Sequence, residues 1–211
     1  MYEKLSVMRR TAEEAAATRR ALLVAALAEF AELGYAAATL AGIAARAGVT
    51  RGALYHHFTD KAALCLSAIS ELWAEAATPV WNKLDGSEPP LQRVADFLVA
   101  FFTALEEDST FREVFALSMR SAEGAPELER GLHDKQAIME GWRRQMAQLL
   151  TKAELRPGVT ANTAALAIIN AVNGTAVTWL ACPALFSPAQ QAQSLADAIL
   201  HGFAKPPDAA Q

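Results

Sequence analysis

Cysteine is nearly absent from this 211-residue chain, with only Cys65 and Cys182. Two cannot build a disulfide framework, and neither stands in a CxxC or His-rich metal spacing, so each reads as a small packed apolar residue. Proline and glycine are also sparse, at 9 and 11 residues, which excludes collagen-like and low-complexity chains. Aromatics make up 8%, and β-branched residues are few, so strand-forming material is thin. Alanine fills the chain instead, with 47 residues, and it is the strongest intrinsic helix former. Composition therefore predicts an ordered, soluble, all-α protein, long enough for one domain or two small ones.

Two further absences bear on location. Residues 1–20 are charged and hold no apolar run followed by a small-residue cleavage site, so no signal peptide is read and the cytoplasm is expected. No charged residue lies between Arg156 and Asp197, and Ala161–Leu180 is long enough to cross a bilayer. Asn162, Asn170 and Asn173 fall inside it, with no second span and no flanking basic cluster. A helix packed against other helices, including those of a second subunit, fits better, and no membrane is expected as a partner.

The formal net charge of −4 hides an asymmetry: residues 1–61 hold eight Lys/Arg against six Asp/Glu, and the rest hold eleven against seventeen. A basic head on an acidic body points to an anionic partner at the N-terminal end. Helix signals divide the chain into about nine helices, with no strand signal and no repeat. Thr11-Ala-Glu-Glu14 reads as a capping box opening a first helix through Leu22, Leu23, Ala26, Leu27, Phe30 and Leu33 to Gly34. Thr39 caps a short helix to Ala47, Gly48 breaks it, and Thr50 caps another to Phe58. Asp60 caps a long helix to about Leu84, in which Pro79 predicts a kink or an end. Helices follow at Leu91–Glu107, at Phe111–Ser121 after the box Thr110-Phe-Arg-Glu113, from Gly124-Ala-Pro126 to about Leu155, and at Thr160–Ala181. The last is capped by Ser187-Pro-Ala-Gln190, with a disordered tail over 205–211. The expected domains are a helix-turn-helix head at 1–60 and a helical body at 61–204.

Residues 39–61 carry the strongest functional signal. Two short helices crossing steeply need a small residue at their contact, supplied by Ala44, and a positive-φ residue in the turn, supplied by Gly48. Ile43, Val49, Leu54 and Phe58 sit where anchors to the body belong. Thr50, Arg51, Gly52, Tyr55 and His56 are then left outward, on a helix that fits the DNA major groove, where Arg bonds guanine bidentately. Lys61 opens the following helix, where the helix dipole disfavours a cation, a misfit that favours a phosphate contact.

Phe30-Ala-Glu-Leu-Gly-Tyr35, Thr39-Leu, Ile43-Ala, Ala47-Gly-Val-Thr-Arg-Gly-Ala-Leu-Tyr-His-His-Phe58 and Asp60-Lys61 closely resemble the DNA-binding head of the tetracycline-repressor (TetR) family, over roughly residues 10–65. Asn173-Gly174-Thr-Ala-Val-Thr-Trp179-Leu followed by Pro183 looks like a helix of its AcrR-type multidrug-efflux repressors. The chain departs from them at Leu117-Ser-Met-Arg120, where a His-Lys-Cys-Glu run is common. The resemblance implies that Arg51 and Gly52 approach base edges with His56 and Tyr55 facing the groove. It implies phosphate contacts from Thr39, Thr50, Tyr55, His57 and Lys61, with Arg9, Arg10, Arg19 and Arg20 adding nonspecific ones.

It further implies a ligand-responsive repressor acting as a homodimer on a palindromic double-stranded DNA operator and released by a small, lipophilic or aromatic effector. The alternatives are a body controlled by a protein partner, or an activator of the same fold. Ile69, Trp73, Phe97, Phe101, Phe102, Phe115, Met119, Trp142, Met146, Ile169, Asn173 and Ala176 are candidate pocket residues, although aromatics and Met at helical spacing equally make ordinary core. The long helix from Asp60, bearing Ile69 and Trp73, is the expected link between pocket and head. Ala167, Gly174, Leu195, Ala198, Ile199 and Phe203 are expected at the dimer interface. No cofactor is implied. His56-His57 with Asp60 lacks a matching third metal ligand, His133-Asp134 and His201 have no nucleophile motif beside them, and no enzyme motif appears.

Overall fold

The computed structural model describes residues 2–120 and 128–205, and among these nine α-helices and one 3₁₀ turn account for the architecture. The helices are α1 (Tyr2–Ala37), α2 (Leu40–Arg46), α3 (Arg51–His57), α4 (Lys61–Trp81), α5 (Pro90–Glu107), α6 (Ser109–Arg120), α7 (Glu129–Leu150), α8 (Ala161–Ala181) and α9 (Ala192–His201). The 3₁₀ turn Asn82–Leu84 follows α4 directly. Leu155 and Ala204 form one isolated antiparallel bridge, the only β pairing among the described residues.

The chain forms two compact units: residues 1–75 with 113–131, and residues 76–112 with 132–211. This differs from the expected boundary at residue 60. The first part of α4 packs on the helix-turn-helix, with Leu64, Cys65, Ala68 and Leu72 joining the cluster of Leu22, Leu27, Phe30, Ile43, Leu54 and Phe58. Burial of these apolar faces makes α4's start part of the head. In the second unit α5 is central, packing on α8 and α9 with Val94, Leu98, Phe101, Phe102 and Leu105 buried.

Several boundaries move, each for a local reason. α1 begins at Tyr2 and runs through Thr11, so the Thr11–Glu14 box does not start it. At Gly34 (φ 76°, ψ 161°) the regular helix breaks, as its positive φ requires. Beyond the break Ala38 and Tyr35 close the core, leaving Leu33 half exposed instead of buried. Asp108, not Thr110, caps α6: its Oδ1 accepts from Phe111 N at 3.0 Å. Ser187 Oγ accepts from Gln190 N at 3.1 Å, but this caps a turn, and α9 begins only at Ala192. α7 stops at Leu150, short of Leu155, which pairs with Ala204. α4 carries Pro79 in its last turn and ends two residues later. Cys65 is buried as expected, whereas Cys182 is exposed. Gly124-Ala-Pro126 and residues 206–211 lie outside the described residues, as do the side chains of Arg9, Arg10, His133 and Asp134.

Candidate nucleic-acid interface and body pocket

The helix-turn-helix is set by short-range caps. Thr39 Oγ1 accepts from Gly42 N at 3.0 Å and Thr50 Oγ1 from Ala53 N at 3.1 Å, fixing the starts of α2 and α3. Gly48 (φ 69°) makes the turn, with its N–H on Ala45 O and Val49 N–H on Ala44 O. Ile43, Ala44, Leu54 and Phe58 are buried. Because they point inward, Thr50, Arg51, Gly52, Tyr55 and His56 are left outward and exposed, with His57 half-buried beside them.

This outward face has the chemistry a duplex requires. Arg51 has no partner among the described residues and offers a planar fork of donors. Gly52 is surface backbone, where an added Cβ would meet only Thr50 Oγ1 at 3.8 Å, so nothing inside the chain demands glycine there. Thr39 and Thr50 spend an acceptor lone pair on their caps, and each keeps an O–H to donate to a phosphate.

The other cations of the head are differently placed. Arg46 bridges to Glu29 at 3.2 Å and to Glu32, tying α2 to α1; the Arg46 guanidinium holds the Glu32 carboxyl below its ordinary value, and Glu32 in turn raises Arg46. Arg19 pairs with Glu71, donates to His57 O at 3.4 Å and lies 4.5 Å from the Phe58 ring centroid. Arg20 pairs with Glu75. Lys61 Nζ donates to the carbonyls of Tyr35 at 2.7 Å, Ala36 at 3.2 Å and Ala38 at 3.2 Å, with the Tyr35 ring centroid 4.4 Å away. An ammonium has three N–H groups, and all three are used here. Lys61, Arg19 and Arg20, the cations expected at phosphates, thus each have a partner within the head in the chain without DNA. The dipole misfit at Lys61 also resolves, since its charge serves the carbonyl-rich C-terminus of α1.

In the second unit a pocket is lined by Trp81, Phe97, Phe101, Trp142, Met146, Ile168, Ile169, Val172 and Asn173. The Trp81 ring centroid lies 4.8 Å from those of both Phe97 and Trp142, the rings tilted at 44° and 37°, and Phe101 meets Phe111 edge-on at 5.1 Å. Free volume is only ≈ 20 Å³, room for about one water. Among the expected pocket residues, Phe97, Phe101, Trp142, Met146, Ile169 and Asn173 converge here. Trp73 and Phe115 instead pair with each other at 6.0 Å in the unit that holds the head, where half-buried Ile69 also packs. Met119 is half-buried, and Ala176 is buried but not among the pocket's lining residues.

Trp81 is missing from the expected set. Its signal in the sequence is a spacing of eight from Trp73, two helical turns on, but Pro79 suggests that the helix stops first. On α8 and α9, Ala167, Gly174 and Ala198 are exposed, Leu195 and Ile199 half-buried. Phe203 is 4% exposed and belongs to the chain's own core. Among the described residues no group of three His, Cys, Asp or Glu is placed to hold a metal. By length and composition α8 could cross a membrane, yet its buried stripe packs Ile168, Ile169 and Val172 around the pocket.

Comparison with known proteins follows the same lines. The family model for bacterial regulatory proteins, tetR family, matches residues 22–68. TtgR of Pseudomonas putida, an HTH-type transcriptional regulator, is 30% identical over 184 residues, 84% of this chain and 87% of TtgR. NalD, the secondary repressor of the MexAB-OprM multidrug efflux pump in Pseudomonas aeruginosa, is similar in structure with a TM-score of 0.78 and 28% identity, covering 92% of this chain and 99% of NalD. SmeT, the repressor of the Stenotrophomonas maltophilia pump SmeDEF, gives in its triclosan complex a TM-score of 0.78 and 27% identity, covering 90% and 93%. The likeness extends well beyond the helix-turn-helix, and the chain belongs to the tetR family of bacterial regulatory proteins: it is a DNA-binding transcriptional regulator of all-α fold, not an enzyme.

Proposed function

We propose that the protein is a ligand-responsive repressor that binds a palindromic operator as a homodimer in the cytoplasm and is released by a small lipophilic or aromatic effector. The observation that carries the effector is the body pocket, whose lining is eight apolar side chains and one amide, Asn173. Such a lining favours an uncharged aromatic molecule with one group for the amide to bond. Drug-sized ligands need several hundred Å³, so the ≈ 20 Å³ now free requires the aromatic side chains to move on entry. Trp81 stands at the end of α4, the helix whose first residue follows the recognition segment, so it replaces Trp73 as the residue through which occupancy would reach the head. Similarity to the efflux-pump repressors NalD and SmeT supports the same reading.

The dimer is supported by an uncharged outward stripe on α8. Leu166 and Val177 are 49% and 45% exposed, with Ala167, Asn170 and Gly174 between them. Nothing within 4 Å of Gly174 requires a glycine, so its smallness suits close approach from outside the chain. Two copies related by a two-fold axis need two related half-sites, hence a palindrome. The test is triclosan, the ligand in the SmeT complex. It should raise the melting temperature of the free protein and weaken binding to the duplex that the protein selects from a randomised library, by roughly 5–150-fold. Bound duplex should weaken triclosan by the same factor. If neither triclosan nor a panel of lipophilic aromatics changes either quantity, control by a protein partner takes its place. Activation instead of repression would appear as transcription rising with bound protein. Sedimentation showing only a 22.6 kDa species at micromolar concentration would remove the dimer.

A further inference from the structure

We propose that the effector enters the body pocket past Trp142, and that Arg143, the next residue, is a positioning residue that latches this entrance shut. Six of the nine lining side chains, Phe97, Phe101, Met146, Ile168, Ile169 and Val172, are buried. The other three, Trp81, Trp142 and Asn173, are half-buried and so mark the rim. There the Trp81 and Trp142 ring centroids lie 4.8 Å apart. The pocket's polar group, the Asn173 amide, is thus at its mouth.

The wall that can give way is α7. Among the described residues α5 packs closely on α8, α9 and the 3₁₀ turn, whereas α7 comes as close to none of them. Its Gln136, Ala137 and Ile138 face solvent. A polar tie crosses from α7 to α8: Arg143 Nη1 donates to Asn162 Oδ1 at 2.7 Å. Glu140, one turn earlier on α7, aims the guanidinium, accepting from Nε at 2.8 Å and from Nη2 at 2.6 Å. Such a bidentate pair fixes the plane of the fork. Asn162 stands in the first turn of α8, two residues after its Thr160 cap. Neighbours on one helix move together, so swinging Trp142 outward carries Arg143 away and breaks the bond to Asn162. The Arg143 side chain is 30% exposed, so water can take over its donors and the latch opens at modest cost. While it is closed, only the ≈ 20 Å³ of the empty pocket remains.

The inference rests on reading this pocket as the effector site, and the experiment keeps the two apart. Triclosan is mixed with the full-length protein, and the change in tryptophan fluorescence gives its association rate and affinity. Arg143→Met and Asn162→Ala each remove the bond from one side. Apparent affinity scales with the open fraction, so each should bind about fivefold faster and more tightly. The double variant should gain no more than either single one, because all three lose the same bond. Asn162→Asp gives Arg143 a charged acceptor and should slow association instead. Arg144→Met loses only a pair with Glu140 inside α7 and should match wild type. Wild-type rates in Arg143→Met and Asn162→Ala would overturn the latch, as would slower or weaker binding in them, which would mean that the bond builds the site. A gain in Arg144→Met equal to that in Arg143→Met would overturn it too, assigning the effect to charge on α7. Binding by the bond-free variants alone would support it. If neither wild type nor any variant binds triclosan or the lipophilic aromatics, the effector reading itself fails and the latch falls with it. Should Arg143→Met fail to fold, the two Asn162 variants, at an exposed position, still move in opposite directions if the latch exists.

Discussion

The head and the body secure their functional groups by opposite means. Around the recognition helix the fixing contacts are polar and directional: two threonine caps, the Arg46 pairs with Glu29 and Glu32, Arg19 with Glu71, and Lys61 with the carbonyls of Tyr35, Ala36 and Ala38. Around the body pocket they are almost wholly apolar, tilted ring contacts of Trp81 with Phe97 and with Trp142, and one amide in the lining. Directional bonds hold an exposed surface to one shape, as a surface must be if its partner is a rigid duplex. Ring contacts are less strictly directional than hydrogen bonds, as the proposed entry of an effector requires. The contrast has a counterpart in charge: of the described Lys and Arg side chains between residues 12 and 61, only Arg51 lacks a partner.

The largest effect should come from breaking the head's anchor. Leu54 is fully buried beneath the recognition helix, and Leu54→Ala leaves a cavity against α1 and α2. Unfolding in urea should show a loss of about 2–5 kcal/mol. A loss below about 1 kcal/mol would mean that α3 is not anchored through this side chain.

Removing the free charge should do the reverse, sparing the fold and harming recognition. Arg51→Ala is expected to cost about 1–3 kcal/mol at the selected duplex and to relax sequence preference, with no fall in melting temperature. If affinity stays unchanged while the salt slope alone falls, Arg51 touches phosphate and the base reading belongs to Tyr55 or His56.

The same contrast explains what sequence can reveal. Threonine caps act on an N–H three residues away, and Gly48 acts on its own φ, so the helix-turn-helix is written in local spacing and is legible there. The tetR-family string makes it more so. The partners of Lys61 are not legible in this way, because its acceptors are backbone carbonyls, which leave no mark in side-chain identity, and because they lie 23 to 26 residues away. The pocket draws on Trp81 through Asn173, so which aromatics meet depends on helix packing that periodicity does not specify. Trp73 and Phe115 have the right residue types and meet each other instead.

The smallest expected effect probes a polar contact of the body. Glu106, at the end of α5, accepts from the Ser187 hydroxyl at 2.6 Å and from Ala189 N–H at 2.9 Å, pinning the turn that leads into α9. The Ser187 bond first, and the Ala189 bond second, hold its carboxyl below the ordinary value of 4.5. A carboxyl depressed on folding contributes stability that is full above its unfolded-state value and is lost as pH falls through the folded one. Glu106→Gln retains an acceptor oxygen and removes the charge, and the site is partly open to solvent. The cost should thus be modest, about 1 kcal/mol at neutral pH. Thermal unfolding of both proteins should show a constant gap above about pH 5.5 that closes as pH drops below the ordinary carboxylate range. A gap that persists undiminished in acid would mean that the glutamine fails by shape and that charge has no part in holding the turn.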